Sequence, residues 1–167
     1  MKIQIRYNIF ETNSSSSHSL TIAEYKEGQL LDTLYPDYGT TDTLTVGSDE
    51  FGWDWATFDD AATKLSYCAI YVRDWVEGDD QPKFFDILTK VIQEHTGIKN
   101  IIYPYEKGDY TDYTGYIDHQ SVEDRDLDYL FENPELLRQF IFNPESTLRT
   151  GNDNEYDPLK GDYDDDD

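Results

Sequence analysis

Two short polar segments hold the residue types that nucleophilic and acid–base chemistry needs. The run Asn13–Ser19 (NSSSSHS) places a row of serines directly before His18, and 115–121 (GYIDHQS) contains His119. In an extended chain residues two apart share a face, so Ser16 and His18 can meet whereas Ser17 and His18 cannot. A serine beside an imidazole is a nucleophile, provided that an acceptor such as Glu11 or an aspartate elsewhere orients the ring. The other arrangement is a tight hairpin connection whose hydroxyls bond nearby backbone groups, and spacing alone favours it. His18 and His119 brought together would form an acid–base pair for cutting a phosphodiester without a metal. By itself, His119 reads as a loop histidine held by a carboxylate. His95, near the end of an expected helix, suits the helix dipole and needs no further role.

Metal and cofactor chemistry find little support. Cys68 is the only cysteine, which rules out an internal disulfide and a thiolate zinc site. Asp153, Glu155 and Asp157 alternate as calcium ligands do, but Pro158 stands where such a loop needs glycine and no bidentate glutamate closes it. The chain has no GxGxxG, P-loop or HExxH pattern, so no cofactor and no metal are expected.

The carboxylates offer a different chemistry. Thirteen Lys and Arg stand against 36 Asp and Glu, a net charge of −23 in 167 residues. Such a field repels nucleic acid and anionic membranes and attracts basic protein surfaces over a Debye length of about 8 Å. Direct DNA binding by the chain alone, and membrane association, are therefore not expected. Duplex DNA presents one phosphate per about 1.7 Å of axis, and a folded surface studded with Asp and Glu imitates that field. Residues 118–167 carry sixteen acids against four bases, a net −12. Asp118, Glu123, Asp124, Asp126, Asp128 and Glu132 are its candidate binding residues, and interleaved Tyr129, Tyr156 and Tyr163 would add contact area. The alternative is a solvated helix face followed by a solubilising tail.

The elements that must position these groups follow from periodicity. Residues 2–10 alternate, with Ile3, Ile5, Tyr7 and Ile9 on one face, the period of a half-buried strand. Short strands are expected at Ser19–Ile22 and Thr43–Val46, separated by loops marked by Gly28, Pro36 and Gly39. Ala61, Leu65, Cys68, Val72 and Trp75 predict a helix over 58–77 that Gly78 stops. Pro82 suits the first turn of a second helix, whose buried face is Phe84, Phe85, Leu88, Val91 and Ile92 and whose stop is Gly97. A strand over Ile98–Tyr105 and a Tyr-rich polar loop follow. Ser121 with Asp124 resembles a capping box that starts a third helix, and Asn133–Pro134 starts a fourth, carrying Leu136, Leu137, Phe140 and Ile141. Ser146–Thr150 returns as a strand.

The expected class is α+β: a small mixed or antiparallel sheet with about four helices packed on it. Residues 1–153 form a single domain and 154–167 an acidic tail, which cannot bury enough apolar area to offset its ordering entropy and is expected to be disordered. A domain of this length buries roughly 70% of its unfolded surface and needs no staple. With 14 Tyr, 8 Phe and 3 Trp, the core should be aromatic. The start, MKIQIRYNIF, lacks the apolar run of a signal peptide, and no stretch reaches 18 apolar residues, so a cytoplasmic location is expected.

The segment RYNIFETNSSSSHSLTI resembles a signature, FETNSSSxHS, that opens small proteins encoded by phages and mobile elements of Gram-positive bacteria. GYIDHQS (115–121) and FNPESTLRTGNDN (142–154) look like further parts of the same pattern. Some members look like type II anti-CRISPR proteins, inhibitors of the RNA-guided effector nuclease. The resemblance implies that the partner is a CRISPR effector nuclease with its guide RNA, held in a positively charged channel, and that the site of action is the bacterial host cytoplasm. It also keeps open a histidine-dependent hydrolase or ribonuclease acting on guide RNA that the effector delivers. Carried over by position, the polar motifs converge on Asn13, Ser16, His18, His119, Gln120 and Asn152, as a catalytic pocket or as a hydrogen-bonded core.

Overall fold

The computed structural model of the chain describes residues 2–6, 16–103, 115–118 and 127–152. The alternating pattern at the start of the chain forms β1 (Lys2–Arg6), paired antiparallel with β2 (Ser16–Ala23) from Arg6↔Ser19 to Lys2↔Ala23. Then come β3 (Thr43–Thr45), β4 (Glu50–Phe51), β5 (Ala56–Phe58), α1 (Ala61–Trp75), α2 (Asp80–Thr96), β6 (Asn100–Ile102) and β7 (Tyr116–Ile117). The described chain closes with α3 (Asp128–Glu132), α4 (Pro134–Phe142) and β8 (Thr147–Asn152).

β8 inserts between β2 and β5, antiparallel to both, giving a four-stranded sheet in the order β1-β2-β8-β5. β3 with β6 and β4 with β7 form two parallel pairs. The class is α+β, as expected, with four helices among the described residues. β2 starts three residues before the predicted Ser19 because Ser16, Ser17 and His18 find ladder partners in Asn152, Gly151 and Thr150. The capping box at Ser121 and the tail 154–167 lie outside the described residues.

The first helix was expected from Phe58, but Phe58 belongs to β5, and the Asp60 side chain caps α1 by accepting from Thr63 N at 2.8 Å. Gly78 does not stop it. The helix ends at Trp75, where the Gln81 side-chain amide reaches the carbonyls of Val72, Arg73 and Val76 at 2.8–3.1 Å and satisfies the end of the helix. For α2 the local signals hold: Pro82 lies in the first turn, and Gly97, at φ 76°, donates its N–H to Gln93 O. Asn133 caps α4 through Leu136 N, ahead of Pro134.

Every residue of α1 from Lys64 to Val72 is buried, so this helix is the central element and not a surface helix with one apolar stripe. The expected aromatic core is present around it. Phe84 and Phe131 stack with centroids 4.7 Å apart, Tyr71 stacks on Phe131, and Phe51 meets Tyr67 edge-on at 4.9 Å. Lys64 is fully buried in this setting. Its ammonium donates to Asn143 O and Ser146 O, both at 2.9 Å, and so caps the C-terminal end of α4. No helix among the described residues is long and apolar enough to cross a membrane.

Candidate functional site

The antiparallel register brings two of the polar segments to one end of the sheet. Ser16 at the start of β2 pairs with Asn152 at the end of β8, and His18 pairs with Thr150. The third segment arrives through β7, which lies beside β4 in register Glu50↔Tyr116 and Phe51↔Ile117. Asp118 N then donates to Phe51 O at 2.8 Å.

The residues that join the three are Gly52–Trp55 (GWDW), the connection between β4 and β5. Gly52 O accepts from His18 at 3.1 Å. Trp53 Nε1 donates to the Asp118 carboxylate. Asp54 O accepts from the Thr150 hydroxyl at 2.7 Å. The Trp55 ring lies so close over Gly151 that a Cβ there would collide with it, and it stacks beneath the Arg149 guanidinium at 5.4 Å. Each residue of GWDW thus touches one of the polar segments.

His18 is the most tightly held member. It is 1% exposed, its Nε2 faces Gly52 O, and its Nδ1 lies 3.2 Å from the Tyr67 hydroxyl. A carbonyl only accepts, so the proton sits on Nε2 and Nδ1 accepts from Tyr67. Burial pushes the imidazole pKa down to about 4, opposed by the Gly52 carbonyl and the negative charge of Asp118. The ring is neutral at pH 7 with both nitrogens occupied. That is a hydrogen-bonded core histidine; in this geometry Tyr67 occupies the nitrogen a general base would use.

Asp128 opens α3 and accepts from the Tyr71 hydroxyl at 2.9 Å, one helical turn on from Tyr67. Glu132 ends α3 and is exposed. Asn13, His119, Gln120, Glu123, Asp124 and Asp126 lie outside the described residues. The structure therefore joins His18, Asp118 and the Ser16↔Asn152 register at one end, while Asp128 engages α1. Sequence reasoning missed Gly52, Trp53, Trp55 and Tyr67. Two tryptophans within FGWDW, in a chain with three, are the signal that pointed there.

The chain matches no family model, no curated protein and no solved structure. Among the described residues no group of three His, Cys, Asp or Glu is placed to hold a metal ion.

The electrostatics are one-sided. Lys64 is buried, Arg73 binds Asp74 at 2.5 Å, Arg138 binds Glu135 at 2.6 Å, and Lys26 binds Glu145 at 2.8 Å. Lys83 and Lys90 lie within 4 Å of Asp80 and Glu94. The described cations are thus mostly engaged within the molecule, while Asp49, Glu50, Asp54, Asp59 and Asp60 are exposed along the same stretch of chain as GWDW.

Proposed function

We propose that this chain is a binding protein that docks acidic surface on a basic, nucleic-acid-handling surface of another protein. Its partner is the guide-RNA-loaded effector nuclease of a type II CRISPR system, which makes the chain a counter-defence inhibitor acting in the cytoplasm of the bacterial host. The observation that carries this reading is the surplus of exposed carboxylate: a net charge of −23 with most of the described cations engaged internally. A channel lined by Lys and Arg is drawn to such a surface as it is to phosphate. The neutral, saturated His18 supports binding over histidine catalysis. The partner's identity rests on the resemblance of the FETNSSSSHS segment.

The test is cleavage of target DNA by guide-loaded effector with and without the protein, followed by a denaturing gel of the guide RNA. Inhibition with intact RNA is expected, and it should weaken as salt rises and the Debye length shrinks toward about 3 Å at 1 M. Shortened RNA would favour the ribonuclease. Unimpaired cleavage would remove the effector as partner.

A further inference from the structure

The connection between β2 and β3, residues 24–42, is held to the body of the domain along its length. Gln29 Nε2 donates to Asn143 Oδ1 at 2.7 Å, Asp32 N to Phe142 O at 2.8 Å, and His95 Nε2 to Asp32 O at 2.9 Å. The Asp32 carboxylate accepts from Ala61 N at 2.9 Å. Further on, the Asp37 carboxylate accepts from Thr45 N and from the Thr45 hydroxyl, the latter at 2.6 Å, and Asp37 N donates to Thr43 O. Leu34 packs into the core, Pro36 restricts its own φ, and Gly39 closes the turn at φ 84°.

This well-anchored segment nevertheless turns large side chains outward. Tyr35 is 78% exposed, Leu30 87%, and Tyr38 fully so; Ile102, the register partner of Thr45, is 48% exposed. Exposed tyrosines carried on an anchored backbone are what protein interfaces use, because a large amphipathic ring with only two side-chain torsions loses little rotamer entropy on binding. The segment carries Glu24, Glu27, Asp32, Asp37 and Asp42 against a single base, Lys26, which is paired with Glu145. A purely apolar partner would gain nothing from these carboxylates, and a second copy of the chain would bring the same negative charge.

We propose that the Tyr35-Pro36-Asp37-Tyr38 turn is a docking surface for an arginine-bearing basic segment of a partner protein. The guanidinium planes lie on the tyrosine faces, and the surrounding carboxylates supply the counter-charge. The proposal deepens the binding function above, on which it rests, by naming one face that makes contact.

The test is a charge-neutral double substitution, Tyr35→Ser with Tyr38→Ser, in the full chain. It is compared with Glu77→Gln plus Asp79→Asn at the exposed α1–α2 turn. Binding is measured to two probes, the guide-loaded effector nuclease and a labelled nona-arginine peptide. The tyrosine pair should weaken both by about tenfold and the acid pair far less, because a hot spot at an interface centre outweighs peripheral charge. Both tyrosines are exposed, so the melting temperature should not move. Unchanged affinity for both probes would overturn the proposal even where effector binding is intact. Absence of effector binding by the wild type, with tenfold weaker peptide binding by the tyrosine pair, would overturn the effector as partner and leave the docking surface standing. A wild-type dimer that the tyrosine pair converts to monomer would place a second copy on the surface and also overturn it.

Discussion

Tyr67 donates its hydroxyl proton to Nδ1 of His18 across 3.2 Å, from the centre of α1 to the strand that carries the serine run. With Gly52 O on the opposite nitrogen, the ring bridges helix, sheet and the β4–β5 connection. The segment whose residue types most suggest catalysis is thereby tied into the core, and its histidine becomes a determinant of acid stability.

The pH dependence follows from that environment. His18 ionises near 6.5 in the unfolded chain and at about 4 in the folded one. Between these values the unfolded state binds a proton that the folded state does not, so stability is fully present above pH 6.5 and is lost as pH falls toward 4. The loss should be about 2 kcal/mol between pH 7 and pH 5, and about 3 kcal/mol over the whole window. Urea unfolding of wild type and His18→Gln at both pH values isolates it. The variant should be less stable at pH 7, and the gap should narrow at pH 5.

Alkaline behaviour depends on two neighbours on α1. Burial lowers Lys64 to about 8 from 10.5, so stability should rise with pH across that interval, where only the unfolded state keeps the proton. Burial raises Cys68 to about 12 from 9.0, so there the folded state keeps the proton and stability falls as pH rises above 9. Lys64→Met should abolish the rise and Cys68→Ala the fall, in unfolding curves taken from pH 7.5 to 10.5. A thiol reagent at pH 8 should label Cys68 only on addition of denaturant, since the thiol is buried and protonated.

Gly151→Ala tests the contact between β8 and GWDW. The position needs glycine because the Trp55 ring lies directly over its α-carbon, not because of a left-handed backbone. The added methyl should destabilise the fold by about 1–3 kcal/mol. A Trp55→Ala background should reduce that cost, which a double-mutant cycle measures.

Tyr71→Phe tests the join between α1 and α3. The Tyr71 hydroxyl donates to Asp128 Oδ1 at 2.9 Å and accepts from Leu127 N at 3.1 Å. Its removal leaves a buried amide without its acceptor and should cost about 1–3 kcal/mol in thermal or chemical unfolding. An Asp128→Asn variant, which keeps an acceptor at the same place, should cost less.

Much of the architecture is legible in local sequence because the rules involved are local. Alternation identifies β1, the strand expected at Ser19–Ile22 is the middle of β2, Pro82 and Gly97 frame α2, and Asn133–Pro134 opens α4. Composition alone announces the aromatic core and the charge. β4 and β7 escaped because two residues contain no period to read. Phe58 was assigned to the wrong element because a hydrophobic residue three before Ala61 fits a helix as well as a strand. The site was legible only in part. His18 stood out by type and spacing, but its partners Gly52 and Tyr67 lie 34 and 49 residues away, and nothing local links them.

The sequence by itself determined that this is an acidic α+β chain with helices at these places, since propensity, capping and periodicity act between near neighbours. Only the tertiary structure decided that β8 slides between β2 and β5, setting Asn152 opposite Ser16 and Gly151 beneath Trp55. It also decided that Lys64 and His18 are buried while Tyr35 and Tyr38 face water. Strand pairing and burial depend on contacts between distant residues, where the choice among faces is made by the packing of the whole domain.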